Sequence, residues 1–291
     1  MGLTLRRRNA VTGVVLGRRF DGRPCVVPWP NLVHCLLAGV TGSGKSGWSA
    51  ALIGSVAGDP NTIIVGIDLK GGVELGPWEP RLAVLASSPG DATQLLASVY
   101  ELVEYRAAIL RAAGRRKWRP SDGPALLLVV DELAELAALD NHVIAQALRN
   151  PGKEATASIK QAKEEVGLRL GLLASITRLA RFVSVTVLCA TQYPLAQVVP
   201  SELRSNLTGR IAGRVTGREQ VEVALGHGLA DVVSPDAIAV SEPGTAYVLG
   251  VPGYELPVRC RADYVTDEAI EARAAATAHL NHHPEEVPVD T

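Results

Sequence analysis

One eight-residue, glycine-rich segment constrains this chain more than any other part of its sequence. Gly39-Val40-Thr41-Gly42-Ser43-Gly44-Lys45-Ser46 fits the pattern GxxxxGK[ST] at every fixed position. The apolar run Cys35–Ala38 precedes it and a helix-compatible stretch, Trp48–Val56, follows, so the segment joins a strand to a helix, the setting in which this pattern binds phosphate. Its glycines let the backbone curl until successive N–H groups turn inward around an anion. The helix adds the positive end of its dipole. The predicted nucleotide-binding set is therefore Gly39, Val40, Thr41, Gly42, Ser43, Gly44, Lys45, Ser46 and Gly47. Lys45 is expected to reach the β and γ phosphates of ATP, and the Ser46 hydroxyl to complete the shell of a Mg²⁺ ion.

Other short apolar runs lie at Ile63–Ile67, Leu126–Val130 and Val183–Ala190, with weaker ones at Arg210–Val215 and Ala246–Leu249. Amphipathic stretches separate them, notably Ala92–Ala113 and Glu154–Arg181. Strands interleaved with helices predict an α/β fold with right-handed crossovers and a mostly parallel sheet covered by helices on both faces. Aromatic residues make up only 4% of the chain, so the core has to be built from Val, Leu, Ile and Ala, as in sheets buried on both sides. Ahead of the loop, Val14-Val15-Leu16, a turn at Asp21-Gly22 and Cys25-Val26-Val27 read as a β-hairpin. Residues 1–30 are expected to form a basic segment and hairpin leading into a core of residues 31–260. Residues 261–291 are expected to form a helix and an acidic, disordered tail. Gly114–Gly123 reads as an exposed loop.

Two further strand ends carry candidate chemistry. Leu126–Val130 runs straight into Asp131-Glu132, and ligands collect at the carboxyl ends of strands in open α/β sheets. Asp131 is the predicted metal carboxylate. Glu132 is the predicted base that polarises an attacking water, its carboxylate free to accept a proton. The run Val185–Ala190 ends in Thr191-Gln192, which places Gln192 to touch a γ-phosphate or that water.

The formal net charge of −1 does not advertise a nucleic-acid binder. It conceals basic clusters at Arg6–Arg8 with Arg18, Arg19 and Arg23, at Arg111–Arg119, and at Arg204–Arg218, cancelled by the acidic stretch beyond Arg261. Such clusters are ordinarily solvated faces. Cys25, Cys35, Cys189 and Cys260 lack CxxC spacing and read as buried, reduced thiols suited to the cytosol. His279, His282 and His283 read as solvated tail. No run reaches the ~18 apolar residues of a membrane span, so the expected location is cytoplasmic, with any membrane attachment supplied by a partner protein.

Taken in order, these motifs resemble the motor domain of the FtsK/SpoIIIE family of DNA translocases. The resemblance covers about Val14 to Gly250. It rests on His34–Ser46, Ile67-Asp68-Leu69-Lys70, Val130–Leu136, Ala190-Thr191-Gln192-Tyr193-Pro194 and Arg204–Ile211. It implies a RecA-like core, a homo-oligomeric ring (usually a hexamer) with ATP between subunits, double-stranded DNA in the central channel, and Gln192 as the γ-phosphate sensor. A ring of this kind also implies an arginine donated by a neighbouring subunit. Arg178 and Arg181, three apart on one helix face, and Arg210 are the candidates; position 222, where many relatives carry Arg, is Glu. Asp140–Gly171 is longer than the family spacing. A short, single-motor chain resembles members that serve conjugative plasmids and integrative elements. The alternatives are a secretion-system motor acting on polypeptide and a nucleotide-gated adaptor without translocation.

Overall fold

The computed structural model describes residues 13–281; Arg6–Arg8, His282, His283 and the predicted acidic tail lie outside them. The strands are β1 (Gly13–Arg19), β2 (Pro24–Pro28), β3 (Cys35–Ala38), β4 (Thr62–Ile67), β5 (Val84–Ala86), β6 (Ala125–Val130), β7 (Val185–Thr191), β8 (Gly209–Ala212), β9 (Thr245–Leu249) and β10 (Val258–Ala262). They form one ten-stranded sheet in the order β2-β1-β10-β9-β8-β3-β7-β6-β4-β5. From β8 to β5 all neighbours run parallel. From β8 outward to β2 every pairing is antiparallel.

Every residue of β3, β4, β6 and β7 is buried, because these strands are covered on both faces. Alternate side chains divide between two cores. Cys35, Leu37, Leu127 and Val129 face one layer, which contains α1 (Lys45–Val56). Leu36, Leu126, Leu128 and Val130 face the other, which contains α2 (Pro89–Ala112). The Ser88 hydroxyl accepts from the Asp91 N–H, 3.2 Å away, and so caps α2 ahead of Pro89. Beyond β6 come α3 (Leu133–Leu136), α4 (Asn141–Arg149) and the long α5 (Lys153–Leu179). The remaining helices are α6 (Ser201–Asn206), α7 (Arg218–Leu225) and α8 (Asp267–Thr277).

Several boundaries depart from expectation. Val183 belongs to a short 3₁₀ turn, and β7 starts at Val185 because Ser184 adopts a left-handed conformation at φ 58°. β8 stops at Ala212, where the chain turns off the sheet and the Arg214 carbonyl accepts from the Val40 N–H. The long stretch at 140–171 holds α4 and the first part of α5, which pack against each other. Within it Arg169 caps α3 by donating to the carbonyls of Leu136 and Ala138 at 3.3 and 3.4 Å. The loop 114–123 is tethered: the Trp118 indole donates to the Gly123 carbonyl, and the Arg106 guanidinium lies 4.8 Å from its ring centre. β5 and β10 had no clear sequence signal, one being three residues long and the other interrupted by arginines. The four cysteines are buried free thiols.

Candidate active site

The carboxyl ends of β3, β7 and β6 are neighbours in the sheet, and they bring the glycine-rich loop, Gln192 and Asp131-Glu132 together. The loop is held on three sides. Gly39 N–H donates to the Thr191 carbonyl (3.1 Å), Val40 N–H to the Arg214 carbonyl (2.8 Å), and Gly244 N–H to the Ser43 carbonyl (2.8 Å). Gly44 sits at φ 91°, and a Cβ there would lie 2.1 Å from the Gly244 nitrogen. Only glycine satisfies both demands. Among the described residues, the N–H groups of Thr41, Gly42 and Gly44 donate to nothing else in the chain. The buried Ser43 hydroxyl has no partner either. A braced loop with unspent donors at a helix N-terminus is a fitting cradle for phosphate.

Charge around the loop is incomplete without a ligand. Burial holds the Lys45 ammonium below its ordinary value, with Glu132 and Asp131 pulling the other way. Burial, reinforced by the carboxylates of Asp68 and Glu74, raises Asp131 to about 7 against the pull of Lys45. A divalent cation beside Asp131 would relieve both burial and crowding. Among the described residues no cluster of three His, Cys, Asp or Glu side chains forms a metal cage. Mg²⁺ is ordinarily held by one or two carboxylates together with substrate phosphates. Ser46 and Asp131, which line one cleft, fit that mode.

Glu132 is where the structure corrects the sequence reading. It is only 3% exposed, and its carboxylate is occupied rather than free. Oε1 accepts from the Thr191 hydroxyl (2.7 Å), the Gln192 N–H (3.1 Å) and the Ala134 N–H (3.2 Å). Oε2 accepts from the Gln192 N–H (3.0 Å) and the Lys70 ammonium (3.3 Å). Four donors meet about four lone-pair directions, so no acceptor capacity is left for a water. Lys70 is positioned by Asp68, a fully buried carboxylate that accepts from the N–H groups of Lys70, Glu74 and Leu75 at 3.0, 2.9 and 3.0 Å. Gln192 reaches the loop itself: its Oε1 accepts from the Thr41 hydroxyl at 2.7 Å. A continuous polar chain thus runs from the loop through Gln192 and Glu132 to Lys70.

The candidate arginines separate. Arg210 is 8% exposed, and its guanidinium donates to the carbonyls of Arg204 and Val223. It ties α6 and α7 to β8, so its guanidinium is already engaged within the chain. Arg178 and Arg181 are both exposed. Burial, helped by the charge of Arg181, depresses His34 to about 4. His34 immediately precedes β3, so Arg181 lies at the amino edge of the sheet, opposite the loop. Glu222 pairs with Arg218 at 3.3 Å.

The motifs assign no role to Lys70, Asp68 or Thr191, although Ile67-Asp68-Leu69-Lys70 and Ala190–Pro194 belong to the resemblance. A lysine two residues beyond a strand-end carboxylate was the available signal. Pro243-Gly244, which braces the loop from 200 residues away in sequence, carried none.

A phosphate cradle, a strand-end carboxylate pair and a glutamine, set along the carboxyl edge of a mostly parallel sheet, define a P-loop NTPase of RecA-like fold. Its relatives make the assignment narrower. The chain belongs to the FtsK/SpoIIIE family, whose model matches residues 4–225. It is 32% identical over 221 residues to a sporulation regulatory protein of Streptomyces azureus, covering 72% of this chain and 66% of that one. It is 29% identical over 222 residues to the transfer protein TraSA of Streptomyces ambofaciens, covering 76% and 51%. The match to DNA translocase FtsK of Staphylococcus aureus is 27% identical, covering 75% of this chain and 27% of that protein. The chain thus spans between about a quarter and two thirds of the length of these relatives. Among solved structures, the pCW3 conjugation coupling protein TcpA, in its monomer form with ATPγS, superposes with a TM-score of 0.73 over 94% of this chain and 72% of that one. At 21% identity that likeness concerns the fold alone. No helix among the described residues is long and apolar enough to cross a membrane.

Proposed function

We propose that this chain is an ATP-driven translocase of double-stranded DNA, working as a homo-oligomeric ring in conjugative plasmid or integrative-element transfer. The observation that carries the ATPase part is the convergence of Lys45, Ser46, Asp131, Glu132 and Gln192 on one braced loop, with Thr41, Gln192, Glu132 and Lys70 joined in sequence. Family membership supports DNA as the load.

In this reading the loop N–H groups and Lys45 bind the β and γ phosphates, and Ser46 with Asp131 would hold Mg²⁺. The ion, when bound, neutralises charge on the phosphates. Glu132 takes a proton from the attacking water only after giving up at least one of its four donors. Gln192 couples that release to the loop, since its side chain holds Thr41 while its backbone N–H holds Glu132. The arginine passed to a neighbouring site comes from the exposed pair Arg178 and Arg181, which lie on the edge opposite the cradle.

ATP hydrolysis with and without linear duplex DNA tests the proposal, with Lys45→Ala and Glu132→Gln as controls. The expected result is turnover stimulated by duplex DNA and abolished in both variants. Turnover indifferent to DNA but raised by a peptide would make this a polypeptide motor. No turnover under either condition would make it an adaptor.

A further inference from the structure

We propose that the cleft beside the phosphate loop seats the nucleoside half of the triphosphate, with Tyr264 stacking on its purine base. The cleft measures about 400 Å³; it opens at Gly44, Ser46 and Gly47 and continues along α1 past Ala50 and Ile53. That volume falls within the roughly 300–1,000 Å³ usual for small-molecule sites. A triphosphate cradled by the loop leaves its sugar and base to depart along whichever flank of α1 is open. Gly47 marks that flank: it lines the cleft, and a Cβ there would have no atom within 4 Å.

Both walls are braced by hydrogen bonds within the chain, and one of them shares its brace with the loop. One wall, residues 73–78, is held by Asp68 through the N–H groups of Glu74 and Leu75. The other comprises Pro243-Gly244 and residues 261–265. Gly244 is tied to the loop through Ser43, and its carbonyl accepts from the Trp48 indole N–H and the Ala262 N–H, each at 3.0 Å. A cleft whose sides are braced before any ligand arrives loses little ordering entropy on binding.

The lining is partly buried and partly exposed. Ile53, Trp78 and Ile270 supply an apolar floor, whereas Tyr264 and Val73 line the cleft with 90% and 73% of their surface in water. An aromatic ring left uncovered beside an apolar floor is what a flat base would cover, since stacking is open to any π-face. Asp267, also in the lining, offers acceptor-only oxygens, suited to ribose hydroxyls or an exocyclic amino group.

The inference rests on the ATP reading of the loop, and two probes keep the two apart. Binding of AMP-PNP and of base-free tripolyphosphate, each with Mg²⁺, is measured on the full chain by titration calorimetry. Tyr264→Ala should weaken AMP-PNP about tenfold, or 1.4 kcal/mol, and leave tripolyphosphate unchanged. Tyr264→Phe should restore AMP-PNP affinity. AMP-PNP, but not tripolyphosphate, should alter tryptophan emission, because Trp78 lines the cleft. An unchanged AMP-PNP affinity in Tyr264→Ala, or an equal loss for both probes, overturns the inference. If the unmodified chain binds both probes equally, the base contributes nothing and the inference falls while the loop reading stands. If it binds neither, the loop reading itself fails.

Discussion

Replacing Lys70 with methionine should speed ATP turnover in the absence of DNA. The ammonium lies 3.3 Å from a Glu132 carboxylate whose side chain is 1% exposed, while the lysine side chain is 30% exposed. Coulomb attraction at that distance is about 5 kcal/mol at an effective dielectric of ~20, but desolvation of both ions takes back a large share. A net value of about 1.5–3 kcal/mol, typical of hydrogen bonds to charged groups, is the better guide. If Glu132 has to leave Lys70 before it can take a proton, removing the ammonium lowers the barrier by that amount. Turnover without DNA should then rise by about 10-fold to 150-fold, at 1.4 kcal/mol per tenfold. Methionine keeps the unbranched stem, so packing changes little. The assay is steady-state phosphate release at saturating ATP, with Lys70→Arg expected to keep the low rate and Lys70→Met/Glu132→Gln expected to be inactive. A fall in turnover by Lys70→Met with nucleotide affinity intact would refute the reasoning: Lys70 would then be holding Glu132 in its working position.

Five further outcomes can be measured. Gly44→Ala should abolish nucleotide binding and cost at least about 2 kcal/mol in denaturant unfolding, through left-handed strain and collision with Gly244. His34 is buried and neutral, its Nδ1 accepting from the Val187 N–H at 3.1 Å, and its folded value of about 4 lies below the ordinary 6.5. Stability from that group is complete above pH 6.5 and is lost as pH falls toward 4, by roughly 3 kcal/mol; unfolding curves of His34→Asn should lack that loss. Arg210→Ala should lower stability by about 2–4 kcal/mol by orphaning two carbonyls. Arg181→Ala should leave stability unchanged and act on turnover, a contrast that thermal melts and phosphate release would show together. Duplex DNA binding, followed by anisotropy, should weaken steeply as salt rises if exposed arginines track phosphates, and a flat response would count against such contacts.

The parts of the fold that could be read from sequence were those where burial dictates residue type. β3, β4, β6 and β7 are mostly apolar because both their faces are covered, and β4, β6 and β7 lead into polar residues, Asp68, Asp131 and Thr191-Gln192, that the sheet brings to one edge. Phosphate-loop geometry was legible for the same reason, since a curled backbone demands glycine at Gly42 and Gly44. The antiparallel half of the sheet was harder. β10 reads Val258-Arg259-Cys260-Arg261-Ala262, with arginines anchored by Glu242 and the Pro243 carbonyl instead of an apolar neighbour. Nor could any local pattern reveal that Glu132 would be saturated. Its donors come from Lys70, Ala134, Thr191 and Gln192, and only closure of the sheet brings the outermost of these together.

The two rims of the sheet also limit how copies of this fold can meet. On one side the outermost strand, β2, begins and ends in proline, which lacks the N–H that a further strand would need. On the other, β5 is three residues long, too short to template much pairing. Growth by adding strands side to side is discouraged at both rims. Copies that associate are left to do so through helical faces or strand ends. An end-on arrangement would set the cradle of one copy against the amino edge of the next, where Arg178 and Arg181 stand in solvent.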